Sequence, residues 1–241
     1  PEKNKFLLVF NLKLNYKFIS KMKKAILFGA TGFIGSHLLL ELLNNESYEK
    51  VTIVVRKDIN IKHTKLNTLI GDLNTLPLLK EQIKADDVFI ALGTTKKQTP
   101  DLIEYYKIDH DYPVLAAKMA KENGAKSVFV VTAIGANPNS SIFYTKTKGE
   151  TERDIIALDY EHTNIFQPSM ILGSRKAHRP MEKIFISIFS IINPILIGNL
   201  SKYKGMDGKD IAKAINKASK NQKEKVKIYR WNQMANLLGN I

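Results

Sequence analysis

The sequence predicts an α/β fold, a doubly wound parallel sheet with helices on both faces and a small C-terminal elaboration. Three observations predict it. Short apolar runs alternate with helical patterns from Lys24 to Phe166. Those runs are apolar throughout rather than every second residue, as expected of strands covered on both faces. The first run ends in glycines spaced three apart, Gly29, Gly32 and Gly35, and a helical pattern follows at once.

Each element has its own signal. Ala25 to Phe28 is a continuous apolar strand that stops at Gly29. Phe33 to Leu43 has helical spacing. Val51 to Val55 is rich in β-branched residues and reads as a second strand. Leu66 to Ile70, closed by Gly71-Asp72, is a weaker third; Val88 to Leu92, closed by Gly93, is a fourth. Asp101 to Asn123 predicts a long helix, interrupted near Pro113 and stopped at Gly124. Ser127 to Val131 is the fifth strand, Tyr144 to Leu158 a helix, and Thr163 to Phe166 the sixth strand. Beyond Pro168 the pattern changes. Met181 to Leu200 is apolar but broken by Asn193-Pro194, Asp207 to Ser219 is an amphipathic helix, Val226 to Tyr229 a late strand and Trp231 to Leu238 a final short helix. Residues 1–21 are unlike the rest and are expected to be a non-native or disordered extension, the alternative being a basic presequence. Residues 22–241 then form one domain, with about 170–241 as a segment covering the substrate.

Composition excludes several functions. The 241 residues include no Cys, which removes disulfides, thiol catalysis and Cys-based zinc sites. The five His do not cluster, so no metal site is expected. No apolar run reaches the ~18 residues of a membrane span. The net charge of +14 is concentrated in the flanks, with +4 in residues 1–21 and +6 in residues 201–228. Arginines number only five and no aromatic residues interleave with the lysines, so nucleic acid is not expected as a partner. The apolar segment beside a Lys-rich stretch leaves peripheral membrane contact as a minor alternative. A cytoplasmic protein is expected.

The strongest chemistry lies in Gly29-Ala30-Thr31-Gly32-Phe33-Ile34-Gly35. Gly29 permits a tight turn, Gly32 lets backbone amides approach a pyrophosphate, and Gly35 lets the helix pack on the sheet. The helix start then offers free N–H groups and a positive dipole end. This is a Rossmann-like dinucleotide site. The second strand ends in Arg56-Lys57, two cations where NAD-binding chains carry a carboxylate, which favours NADP(H) over NAD(H); Asp58 follows directly. Asp72 is placed either to bond adenine or to close a turn.

Tyr144 and Lys148 have the spacing Tyr-x-x-x-Lys, which puts both on one helix face. A Lys ammonium beside a phenol lowers its pKa from ~10, and such a Tyr can exchange a proton with a carbonyl or alcohol oxygen. With 32 Lys and nine Tyr, chance yields roughly one such pair, so its place after the fifth strand carries the argument.

These residues resemble the short-chain dehydrogenase/reductase superfamily. Leu92-Gly93-Thr94-Thr95, Lys126 to Thr132, Lys148-Gly149-Glu150, Gln167-Pro168-Ser169 and Arg179-Pro180-Met181-Glu182 look most like its atypical Tat-interacting-protein branch and bacterial relatives, over about 22–240. The resemblance implies that Gly29, Thr31, Gly32, Phe33, Ile34 and Gly35 hold the pyrophosphate. Arg56 and Lys57 would hold the 2′-phosphate, Asp72 and Leu73 would face adenine, and Leu92, Gly93 and Thr94 would line the cofactor. Tyr144 and Lys148 would be the acid/base pair, and Pro168, Ser169 and Met170 would border the nicotinamide. One departure stands out. The usual substrate-bonding hydroxyl falls at Ala133, which leaves Thr132, Ser140 or Ser141 as substitutes. Asp109 occupies a position where many members carry Asn. His110 is given no role. Helices near 101–123 and 144–158 commonly form dimer faces in such proteins, so a homodimer is a further expectation.

The leading function is NAD(P)-dependent oxidation or reduction of a small carbonyl or alcohol substrate. The alternative is an NADP(H)-binding regulatory or interaction protein, which Ala133 favours. A nucleotide-sugar epimerase or dehydratase ranks lower, because only ~70 residues follow Pro168 where such enzymes carry a larger substrate domain.

Overall fold

The computed structural model describes residues 22–173 and 196–239. The expectations for residues 1–21, for the Arg179 to Glu182 motif and for most of the 181–200 apolar segment lie outside the described residues.

Seven parallel strands form the central sheet: β1 (Lys23–Phe28), β2 (Tyr48–Val55), β3 (Leu66–Ile70), β4 (Asp87–Ile90), β5 (Ser127–Val131), β6 (His162–Phe166) and β9 (Val226–Tyr229), in the order β3-β2-β1-β4-β5-β6-β9. A two-stranded parallel pair, β7 (Ile171–Leu172) with β8 (Met206–Asp207), stands apart from it. The helices are α1 (Phe33–Leu43), α2 (Leu102–Tyr106), α3 (Tyr112–Glu122), α4 (Phe143–Ala157), α5 (Gly208–Ser219) and α6 (Trp231–Leu238). Strand order reverses between β1 and β4, so the loops leaving those two strands diverge and open a crevice at the carboxyl edge.

The strands are apolar throughout because alternate side chains enter two cores. Ala25, Leu27, Val51, Ile53, Val55, Phe89, Phe129 and Phe166 pack on one face with α1, α5 and α6. Ile26, Phe28, Val54, Val88, Ile90, Val128, Val130 and Ile165 pack on the other with α3 and α4. Each such side chain stabilises the fold by about 1.5–3 kcal/mol through removal from water. Phe89 stacks on Phe129 with ring centroids 4.6 Å apart. In α5 the buried stripe Ile211, Ala212, Ala214, Ile215 and Ala218 is small enough for close approach to α1. Residues 206–239, within the stretch read as covering the substrate, thus complete the sheet and its second helical layer.

The predicted 101–123 helix is divided. α2 and α3 are joined by a π-helical turn at Lys107–Asp111. Pro113 has no N–H to give the carbonyl four residues back, that of Asp109. The Thr151 hydroxyl donates to that carbonyl instead, at 2.9 Å. The fourth strand ends at Ile90 rather than Leu92, because the chain leaves the sheet there as a loop. The 3-10 turns at Leu76–Gln82 and Gly198–Tyr203 and the β7–β8 pair have no clear sequence signal.

Candidate active site

The glycine loop is built for a ligand that meets only backbone. Gly29 has φ +91°, and a Cβ there would lie 2.5 Å from the Ala91 carbonyl oxygen, so the loops after β1 and β4 touch at the switch point. A Cβ on Gly35 would lie 2.0 Å from the Gly29 oxygen. Gly32 precedes α1 in extended conformation and supplies no side-chain cap at the helix start. Thr31 is exposed at the loop's crest. The side chains of Phe33 and Ile34 point elsewhere. Ile34 is in the core, and Phe33 packs so closely on Gly208 that a Cβ there would meet its ring at 2.5 Å. Both residues can contribute main chain only.

Arg56 and Lys57 are exposed at the end of β2, one loop away from the glycines. Asp72 lies near Arg56, and its Oδ1 accepts the N–H groups of Asn74 and Thr75 at 3.0 Å, closing the turn after β3. Those bonds from Thr75 hold its carboxyl below the usual range. Of the two roles left open for Asp72, the structure shows the turn. Leu73 is half-buried beside it. Tyr112, which sequence reasoning missed, lies within reach of Asp72 and Arg56; burial, then Asp72, pushes its phenol up to about 12 while Arg56 opposes.

Below the loop after β4 is a buried ion pair. Lys148 Nζ lies 2.6 Å from Asp109 Oδ1, with side chains only 6% and 1% exposed. Asp109 Oδ2 accepts the Thr94 N–H at 2.7 Å. A Cβ on Gly93 would lie 3.5 Å from Asp109 Oδ1 and 3.6 Å from Lys148 Nζ, so the pair sits directly against that glycine. Leu92 turns instead into the core beside α3. α4 reaches this depth because Gly149 presses on the 137–138 backbone; a Cβ would approach it to 2.2 Å.

Tyr144 lies one turn before Lys148 and is 43% exposed at the crevice. Its phenol is not lowered. Burial, then Asp109, pushes it above its ordinary value. This is opposite to the lowering expected from Lys148, and burial is the larger of the two causes. Thr132 is also corrected. Its hydroxyl is buried and donates to the Glu152 carboxylate, so it is not presented to a substrate. Ala133 is buried too. Ser140 shares a hydrogen bond with Thr145 at 2.7 Å and accepts the Ile142 N–H at 3.1 Å, so it ties down the loop that leads into α4. Ser141 is exposed on the same loop.

Glu152 anchors a buried polar chain. Gln167 Nε2 donates to both its oxygens at 3.0 Å, and Arg230 Nε donates to Gln167 Oε1 at 3.0 Å. Burial raises the Glu152 carboxyl against the pull of these partners. Pro168 is buried and its carbonyl accepts the Ile134 N–H at 2.9 Å. The Ser169 hydroxyl donates to the Tyr203 carbonyl at 3.0 Å, and the Met170 carbonyl accepts the Met206 N–H at 3.0 Å. Of residues 168–170, the Met170 side chain is exposed. His110 bridges Asp111 and Asp154 at 2.8 and 2.9 Å, tying the π turn to α4.

A doubly wound sheet with an uncapped, glycine-cradled helix start at its switch point defines a nicotinamide-dinucleotide-binding domain. Residues 29–171 match the NAD(P)H-binding family, and the chain belongs to it. The mitochondrial protein FMP52 of Eremothecium gossypii is 36% identical over 154 residues, 64% of this chain and 69% of that protein. The mitochondrial protein fmp52 of Aspergillus niger is 32% identical over 200 residues, covering 80% and 85%. Among solved structures, MoeE5 in complex with UDP-glucose and NAD superposes with TM-score 0.63 at 20% identity, over 90% of this chain and 82% of that one. The Bordetella bronchiseptica enzyme WbmH in complex with NAD+ gives 0.64 at 18% identity, over 87% and 75%. These two likenesses concern the fold. The resemblance to atypical short-chain dehydrogenase/reductases fits all of them.

One expectation is overturned. Relatives from several fungi are named mitochondrial, against the cytoplasmic location expected. That expectation rested on the lack of an apolar signal core and of a membrane span. Organelle transit segments are basic and amphipathic, so neither absence bears on them.

Proposed function

We propose that the protein is an NADP(H)-dependent oxidoreductase acting on a carbonyl or alcohol of a small molecule. The glycine cradle carries the reading: Gly29 and Gly35 leave room for no Cβ, and Gly32 puts no side chain at the start of α1. The main chain of residues 31–35 would hold the pyrophosphate, Arg56 and Lys57 the 2′-phosphate, and the Gly93-Thr94 loop and the 168–170 main chain the nicotinamide end. When bound, the nicotinamide supplies or accepts a hydride. Tyr144 gives a proton to a carbonyl oxygen, or takes one from an alcohol, and Lys148 holds the charge beneath it. The homologous proteins support action in mitochondria.

A second reading has its own observation. Thr132 is committed to Glu152 and Ala133 has no side-chain donor, so neither of the two positions directly after β5 offers a substrate oxygen a hydroxyl. A cofactor-binding regulatory protein needs none. Titration with NADPH and NADH tests the binding role: NADPH is expected to bind more tightly by ~10-fold or more, the worth of one charge-assisted contact. A screen of carbonyl substrates with Tyr144→Phe as control then separates the readings. Turnover lost in that variant supports catalysis. Tight NADPH binding with no turnover on any substrate supports the regulatory reading, and no binding of either nucleotide rejects both.

A further inference from the structure

We propose that Asp109 is the counter-ion of the Tyr144–Lys148 pair, a positioning residue that fixes the Lys148 ammonium and keeps the Tyr144 phenol in its proton-donating form. This rests on reading Tyr144 and Lys148 as the acid/base pair.

Three features carry it. First, the contact is direct and dry. Lys148 Nζ and Asp109 Oδ1 form an ion pair at 2.6 Å with both side chains buried, and among the described residues Oδ1 has no hydrogen-bond partner. Second, the carboxylate cannot swing away. Oδ2 is held by the Thr94 N–H at 2.7 Å, and the Asp109 carbonyl is held by the Thr151 hydroxyl at 2.9 Å. The π turn that places Asp109 inward is fixed by Pro113 immediately after it. Third, the same carboxylate reaches both phenols at the crevice. Tyr105, whose hydroxyl points to the Thr94 carbonyl, and Tyr144 are each pushed up by burial first and Asp109 second.

The charged and titratable groups around the pair come from four elements. Asp109 belongs to the π turn, Tyr105 to α2, and Tyr144, Lys148 and Glu152 to α4; Arg230, just before α6, acts on Glu152 through Gln167. Glu152 has its own donors in Thr132 and Gln167, which leaves Asp109 as the carboxylate in contact with the ammonium. An ammonium matched by a carboxylate offers a neighbouring phenol little net charge, so the proton stays on the phenol oxygen. Lys148 has three donors, so the ones not used on Asp109 remain for a ligand. The resting site is then ready to donate a proton to a carbonyl oxygen, and must lose one before it can accept a proton from an alcohol.

The test is the titration of Tyr144, followed by 13C NMR of protein labelled at the tyrosine Cζ, with Tyr144→Phe identifying the resonance. In Asp109→Asn the midpoint is expected to fall by ~1 pH unit or more, a tenfold rise in the acid dissociation constant. Asn keeps an oxygen for the Thr94 N–H but loses the charge. In Lys148→Met, which leaves the Asp109 charge unmatched, the midpoint is expected to rise. Opposite shifts establish the counter-ion. Two shifts in the same direction toward ~10 show mere loosening of the site and overturn it, as does no shift in either variant. If only Lys148→Met folds, an unchanged or lowered midpoint overturns the proposal by itself. NADPH titration of the same proteins keeps the two readings apart, since a chain that binds no nucleotide but shows opposite shifts loses the oxidoreductase and retains the counter-ion.

Discussion

The two walls of the crevice are made in different ways. The wall after β1 is backbone: three glycines within seven residues, a glycine before the helix start, and Ile34 turned into the core. The wall formed by β4, the π turn and α4 is buried charge, with Asp109 on Lys148 and Glu152 on Thr132 and Gln167. The first is local and depends on the absence of side chains. The second draws on residues from 94 to 230 and depends on each charge finding its partner. A ligand's phosphates suit the first, because fixed N–H dipoles need no counter-charge. A proton-exchanging group suits the second, because its proton affinity is set by the charges around it.

Substitutions should separate the two walls. Asp109→Ala strands the Lys148 ammonium, and urea denaturation is expected to show a loss of about 3–5 kcal/mol. A loss below ~1 kcal/mol would mean that water reaches the pair and that the second wall is not dry. Gly35→Ala should cost up to ~3 kcal/mol, the upper range for overpacking, because its Cβ meets backbone that cannot rotate away. It should also abolish NADPH binding, whereas Asp109→Asn should leave that binding within a few fold; equal effects on binding would erase the distinction. Thr132→Val should cost about 1–3 kcal/mol by leaving the Glu152 carboxylate short of a donor. If turnover is found, this variant should retain it once folded, and a selective loss of kcat would return Thr132 to the catalytic set. The smallest effect is expected from Arg56→Ala, which should weaken NADPH by ~10-fold, leave NADH unchanged and not alter stability. Equal weakening of both nucleotides would place Arg56 away from the 2′-phosphate.

The first wall was legible in the sequence. Glycine at three-residue spacing between an apolar run and a helical one predicts its own geometry, since only residues without a Cβ fit so close an approach. The helix Phe33–Leu43 and the strands at Leu66–Ile70, Ser127–Val131 and Val226–Tyr229 fall where the pattern places them. The second wall was legible only in part. Tyr144 and Lys148 show their spacing; Asp109 stands out only through the resemblance, as a position where many members carry Asn, with a helix-surface residue as the alternative. Its signal, Pro113 four residues later, marks an orphaned carbonyl and hence an irregular turn, though not the side chain's direction. Nothing local to Thr132 tells that Glu152 lies within reach.

The sequence by itself determined the doubly wound sheet, the glycine cradle and the helix that bears Tyr144 and Lys148, because periodicity and missing side chains act over a few residues. Tertiary structure alone decided what surrounds that pair. It brought Asp109 to Lys148 across 39 positions of sequence and turned Thr132 inward to Glu152. Charges act through space in a poorly screened interior, so a proton affinity belongs to the assembled surroundings and not to a spacing in the chain.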